Sequence, residues 1–190
     1  MQAKVADKEG NAMLLEPIIV QPTIAAERFT LRPLRKSDAG LVALYMADAR
    51  VARGTRSVPN PLPPGMVPAL IDRAMAKDRV EDVWALDGTA QGLGEVLGLV
   101  TLVRLDRKQS EISYWVAPAF WNTGLASEAV RSIIAANPHS AAQVFAEVFQ
   151  DNPGSARVLT NCGFDYLGDA EAFSVARNAT VPTWTYALKM

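Results

Sequence analysis

The spacing of apolar residues changes several times along the chain, and each change marks an element. Apolar and polar positions alternate from Arg28 to Leu34, which predicts a half-buried strand, and a helix is predicted from Asp38 to Asp48. A proline-rich loop, Ser57 to Pro64, separates that helix from a second one over about Met66 to Lys77. Asp82 to Asp87, Glu95 to Leu105 and Ser110 to Val116 then read as three antiparallel strands. Beyond Gly124 the period turns helical. Leu125, Ala129 and Ile133 make one row and Ala126, Val130 and Ile134 the row beside it, leaving Ser127, Glu128 and Arg131 for water. A strand from Gln143 to Phe149, a helix after Asn152, a strand Phe164 to Gly168 and a last strand Thr183 to Leu188 complete the order. The pattern is α+β: a mixed, mostly antiparallel sheet of about six or seven strands flanked by helices.

Two segments carry more than structure. In Val116 to Val130 (VAPAFWNTGLASEAV), Pro118 ends a strand, Gly124 lets the backbone come close to whatever sits on the loop, and a helix starts near Leu125. The first N–H groups of that helix have no internal partner and lie at the positive end of its dipole, so the loop can hold a diphosphate through backbone alone. Ordinary turn chemistry explains the same glycine equally well. The second segment runs from Asn152 to Phe164 (NPGSARVLTNCGF). Asn152 suits an N-cap, Pro153 the first helical position and Gly163 the residue past the end. Asn152, Ser155, Leu159 and Cys162 share one inward stripe, and the two polar members fit either a ligand or a satisfied cap.

Composition narrows the function. The chain has 190 residues, a formal charge of −1, one His and one Cys. That length suits a single core, and without a basic face no direct nucleic-acid ligand is expected. The lone Cys162 excludes an internal disulfide and suits a reducing cytoplasm, with packing as its role. One His and one Cys leave little for a zinc site or a Cys-His nucleophile, so no metal is expected. His139, after Pro138 in a polar turn, reads as a surface residue. The longest apolar runs, such as Val96 to Val103, are of strand length, so no membrane span is expected. The charged start lacks the apolar run of an export signal. Met13 to Thr23, apolar with two prolines, is expected to lie extended on the domain or across a partner subunit.

Four ordered segments together resemble a known family. They are Glu27 to Leu34 followed by Ser37-Asp38-Ala39, Glu111 to Pro118, Trp121 to Ala129, and Asn152 to Leu159 with Gly163-Phe164. The chain resembles the GNAT superfamily of acetyltransferases, in the subgroup of ribosomal-protein N-terminal acetyltransferases. The resemblance implies residues 1–24 as an N-terminal extension and 25–190 as one GNAT-like acyl-CoA N-acyltransferase domain. It implies acetyl-CoA as cosubstrate, held by Trp115, Val116, Phe120, Trp121, Asn122, Thr123, Gly124, Leu125, Ala126, Asn152 and Ser155. Trp121 stands at the first position of the family's pyrophosphate loop, where Gln or Arg is commoner. Asn122 and Thr123 stand where a Gly and a basic residue are common, so the backbone carries the contacts.

Acetyl transfer to an amine needs a donor for the oxyanion, a partner for the leaving thiolate and a route for the amine's proton. The resemblance assigns the first to the backbone N–H of Val116, where neighbouring strands splay. Many relatives carry a Tyr for the thiolate, and Leu159 stands at its place here; Ser155, one turn earlier, is the substitute. Glu111 is the leading base. An α-amine of pKa about 7.7–8.0 is roughly a tenth to a fifth neutral at pH 7, against fewer than about one in a thousand for a lysine of pKa about 10.4. With no strong base apparent, direct transfer to a primary amine of low pKa is expected, a protein N-terminus among the choices. Aminoglycosides, polyamines and other small amines stay open, because the family's acceptor groove, here about Arg50 to Pro64 and Asp169 to Pro182, carries Arg53, Arg56, Asp169, Glu171 and Arg177 without a clear charge preference. The rival class is a non-catalytic acyl-CoA sensor or scaffold. Either a monomer or a homodimer fits. A dinucleotide oxidoreductase is excluded, since Gly92-Leu-Gly94 precedes a strand and not a helix.

Overall fold

The computed structural model describes residues 21–190 and, ahead of them, two short strands, β1 (Val5–Ala6) and β2 (Ala12–Met13), which pair antiparallel. Most of the segment Met13 to Thr23 lies outside the described residues. Its end does lie across the domain: Gln21 donates to Val83 O at 2.9 Å, and the Trp84 indole donates to Pro22 O at 2.8 Å. The remaining elements are β3 (Ile24–Ala25), β4 (Thr30–Pro33), α1 (Ala39–Met46), α2 (Ala49–Arg53), α3 (Met66–Met75), β5 (Glu81–Asp87), β6 (Gly98–Leu105), β7 (Gln109–Val116), α4 (Leu125–Ala136), β8 (Gln143–Phe149), α5 (Pro153–Asn161), β9 (Asp165–Ser174) and β10 (Ala179–Lys189). They build one eight-stranded sheet in the order β3-β4-β5-β6-β7-β8-β10-β9. Every neighbouring pair is antiparallel except β7 and β8. The expected mostly antiparallel α+β sheet is therefore present, with an extra edge strand too short to show a period.

Alternation along the strands gives the sheet two apolar faces. Ile112, Val144, Ala146 and Val148 pack with Leu125, Ala129, Val130 and Ile133 of α4 and Leu159 of α5. Val83, Ala85 and Leu99 pack with Val42, Met46, Ala52, Val67 and Ile71 of α1 to α3 on the other side. Each fully buried Leu, Ile or Val contributes about 1.5–3 kcal/mol, so the two helical rows read from sequence hold the layers together.

Several expectations change. The helix expected over Asp38 to Asp48 is α1, Ala39–Met46, and a second short helix that was not expected, α2, follows it; both flanking aspartates act as local hydrogen-bond acceptors. Asp38 closes a short 3₁₀ turn and accepts from Arg35 N–H at 2.8 Å, while Asp48 caps α2 by accepting from Arg50 N–H at 2.8 Å. The loop expected from Asp169 to Pro182 is mostly a hairpin, in which β9 and β10 pair from Ala179↔Ser174 downward and leave only 175–178 to turn. Glu128 does not face water. It is 9% exposed and accepts from the Arg28 backbone N–H at 2.8 Å and Arg28 Nε at 2.7 Å, a partner 100 residues away.

His139 is no surface residue either. Its side chain is 2% exposed, with Nδ1 3.0 Å from Ser110 Oγ and Nε2 2.9 Å from Asp82 Oδ2. Asp82 also takes Arg79 at 2.6 Å and Arg104 at 2.8 Å. Burial works against its charge, but hydrogen bonds from His139 and Arg79 and the Arg104 charge prevail and hold its pKa down at about 2. This knot fastens the starts of β5 and β7 to the turn after α4.

The feature that positions the site is an opening. β7 pairs with β6 along its whole length, from Gln109↔Leu105 to Val116↔Gly98, yet with β8 it pairs only from Gln109↔Gln143 to Glu111↔Phe145. Beyond Glu111 the two parallel strands part. On the closed side β6 approaches so tightly that a Cβ on Gly98 would collide with the backbone of Trp115 and Val116.

Candidate active site

The gap between β7 and β8 is bordered by main-chain groups. Arg104 N–H donates to Val80 O on the β5 side and Ala117 N–H to Leu97 O on the β6 side. Strand alternation then turns the N–H and C=O of Ile112, Tyr114 and Val116 away from β6 and toward the gap. The Val116 carbonyl accepts from Trp121 Nε1 at 2.7 Å, which ties the following loop to the strand end. The Val116 N–H points the same way, as an oxyanion donor must.

The loop itself is a cradle of N–H groups. Asn122 (φ 61°) and Gly124 (φ 83°) are both left-handed, and the N–H groups from Asn122 to Ser127 have no main-chain acceptor among the described residues. Carbonyls are turned back into the protein: Thr123 Oγ1 donates to Phe120 O at 2.6 Å and Arg28 Nη1 to Thr123 O at 2.7 Å. An outward array of N–H groups at a helix start fits a diphosphate. The requirement for glycine at Gly124 is conformational, since a Cβ there would meet only Arg28 Nη2, at 3.4 Å. Leu125 is 3% exposed, so its side chain belongs to the core and only its N–H can serve a ligand. Trp121 stays 43% exposed, with the Arg50 guanidinium 5.6 Å from its ring centre.

On the α5 side, Asn152 is a cap: its Oδ1 accepts from Ser155 N–H at 3.2 Å. Ser155 Oγ donates to the Tyr114 hydroxyl at 3.0 Å, and that hydroxyl donates to Ser155 O at 3.0 Å. Burial pushes the Tyr114 phenol up from its usual range, so it stays protonated. Leu159, at the family's Tyr position, is fully buried. Sequence reasoning missed Tyr114. A hydroxyl from β7 thus stands beside Ser155 in place of one from the helix, and the signal was available in the alternation that sends residue 114 to the α5 face.

The opposite face holds the charges. Glu111 Oε1 lies 3.0 Å from Arg56 Nη2, and Glu147 Oε2 lies 2.7 Å from Arg56 Nη1. Thr183 Oγ1 donates to the other oxygen of Glu147 at 2.7 Å. These residues line a cavity of about 350 Å³ that also reaches Tyr114, Trp115 and Ser155. The structure therefore brings Glu111, Trp115 and Ser155 to one cavity, with Glu111 and Ser155 on opposite faces of the sheet. Trp115 is packed edge-on against Tyr45, ring centres 6.4 Å apart, and forms a wall. Of the groove residues, Arg177 pairs with Asp151 at 2.7 Å and Asp169 accepts from Gln150 at 3.1 Å and Tyr166 at 2.9 Å. A wider, open groove of about 860 Å³ runs between 24–28 and α4, away from all of these groups. Among the described residues no three His, Cys, Asp or Glu side chains cluster as metal ligands, and no helix is long and apolar enough to cross a membrane.

Comparison with known proteins returns one consistent picture. The family described as acetyltransferase (GNAT) domain matches residues 28–165. An uncharacterized N-acetyltransferase, p20, of Bacillus licheniformis is 24% identical over 179 residues, covering 87% of this chain and 95% of the relative. Among solved structures, ribosomal-protein-S5-alanine acetyltransferase from Vibrio fischeri aligns with a TM-score of 0.73 at 18% identity, over 89% of this chain and 97% of that one. Spermidine N-acetyltransferase from Vibrio cholerae, solved with CoA and spermine, aligns with a TM-score of 0.68 at 16% identity, over 85% and 95%.

Proposed function

Since the chain belongs to the GNAT acetyltransferase family and is an acetyl-CoA-dependent N-acetyltransferase, we propose that it transfers acetyl directly to a primary amine of near-neutral pKa in the gap between β7 and β8. The observation that carries this reading is the parting of those strands beyond Glu111, with a free N–H cradle at one end and side chains on both faces. When bound, acetyl-CoA supplies an activated acyl group on a thiol leaving group. Asn122 to Ser127 hold its diphosphate by backbone, and Phe120, Trp121, Asn152 and Ala126 shape the surrounding surface. The Val116 N–H meets the negative charge that develops on the carbonyl oxygen. Ser155, its hydroxyl oriented by Tyr114, can turn its proton toward the thiolate; a thiol of pKa about 8.5 leaves readily with that help. Glu111 receives or orients the amine's proton from the other face, through water.

An α-amine, as at a peptide N-terminus, fits because a site with one half-buried carboxylate pair and, among the described residues, no stronger base works best on an amine already partly neutral. Small polyamines are the second reading, favoured by the Glu111 and Glu147 pair in the cavity. The test is free-thiol release from acetyl-CoA with a panel of α-amino peptides, polyamines and lysine peptides at pH 7, with the acetylated product identified by mass. Release driven by α-amines supports the first reading, and release driven by polyamines with α-amines ignored supports the second. Ready acetylation of lysine side chains with α-amines ignored would overturn it.

A further inference from the structure

Glu111 and Glu147 come from neighbouring strands and share a face. Glu111 registers opposite Phe145, and Glu147 is the next residue of β8 on that side. Their side chains are 27% and 16% exposed, so two like charges sit partly desolvated at the mouth of one cavity. Such a pair needs a cation. Here the cation is Arg56, with one nitrogen to each carboxylate, yet its side chain is 51% exposed. Arg32 also bridges two carboxylates, Asp38 and Asp87, but at 6% exposure and with added bonds to backbone carbonyls. Arg32 is built in, whereas Arg56 is laid on.

We propose, resting on the transferase reading above, that the Arg56 guanidinium is an internal stand-in for the acceptor's ammonium: it fills a cation subsite made by Glu111 and Glu147, and a protonated primary amine displaces it. The loop that carries Arg56 is fastened by backbone, since Val175 N–H donates to Arg56 O at 3.0 Å, so the side chain can leave while the loop stays. Thr183 fixes Glu147 from behind, so the subsite keeps its shape. Half-exposed Arg-carboxylate pairs are weakly held, which makes displacement cheap. The cavity beyond the pair leads toward Tyr114, Trp115 and Ser155, so an amine seated there lies next to the gap. The acceptor class is an amine cation without a neighbouring anion, and Arg56 limits its affinity.

The experiment is calorimetric titration of the full chain with 1,4-diaminobutane at pH 7, in wild type, Arg56→Ala and Arg56→Ala/Glu147→Gln. Removing the internal cation should tighten diamine binding at least about tenfold, and the second substitution should erase the gain. Arg56→Met, which keeps the aliphatic stem, serves if the alanine variant does not fold. Unchanged or weaker diamine binding in the folded single variant would overturn the proposal. Thiol release from acetyl-CoA, run on the same proteins, separates the two readings. Tighter binding without transfer to any amine leaves the subsite standing and sinks the transferase account. Transfer with a KM for the diamine that rises in Arg56→Ala does the reverse.

Discussion

The two sides of the β7–β8 gap are made of different materials. Toward α4 the groups that border the gap are backbone N–H groups, from Val116 and from Asn122 to Ser127, held by carbonyls tied back to Arg28 and Thr123. Toward α1 to α3 they are charged side chains, Arg56, Glu111 and Glu147, drawn from a loop and two strands. A main-chain cradle is rigid and indifferent to side-chain identity, so on the proposed reading it suits a cosubstrate that never changes. A charged side-chain cluster is easily altered by substitution, so on the proposed reading it suits an acceptor that differs between relatives on one fold. Ser155 and Tyr114 stand between the two, a side-chain pair at the start of α5.

That division can be broken in four places. The largest effect is expected at Ser155. In Ser155→Ala, turnover should fall about tenfold to a hundredfold, the weight of a hydrogen bond to a developing charge, while CoA affinity changes less. Equal losses in kcat and in CoA binding would make it only a positioning residue. Next comes Gly124→Val, which forces a branched residue to φ 83° and should weaken CoA binding more than tenfold, about 1.4 kcal/mol. Calorimetry on the folded variant checks this, and unchanged affinity would remove the loop from the site. Glu111→Gln should lower turnover several-fold, well short of the roughly hundredfold or greater loss of an indispensable base. Turnover itself should climb with pH through the amine's own pKa, because the neutral amine is the nucleophile. The smallest effect is expected for Asn122→Gly, which keeps the left-handed backbone and deletes the side chain. CoA affinity should stay within about twofold, and a larger loss would mean that side chains carry the cradle after all.

The same division decides what could be read in advance. The α4 side is local in sequence: a strand end, Pro118, Gly124 and a helical period lie within fifteen residues, and each forces its geometry through backbone rules. The bracket of Asn152, Pro153 and Gly163 likewise appears as a capped helix, with Gly163 at φ 86°. The α1 to α3 side is not local. Arg56 and Glu147 meet across 91 positions, and nothing in either neighbourhood announces the other. Glu128 with Arg28 and His139 with Asp82 escape the sequence for the same reason, since the pattern assigns polar residues to solvent and carries no sign of a distant partner. The strands β9 and β10 run past the expected Phe164 to Gly168 and Thr183 to Leu188, and Pro182 pairs within the hairpin opposite Glu171.

The most direct test of this two-sided account is amide and guanidinium chemical-shift mapping of the full chain, titrated first with CoA and then with 1,4-diaminobutane. CoA alone should move the amides of Val116 and Asn122 to Ser127 and leave the Arg56 guanidinium resonances in place, and the diamine should then move Arg56. CoA shifts that miss the loop, or a diamine that leaves Arg56 unmoved while perturbing the loop, would contradict it.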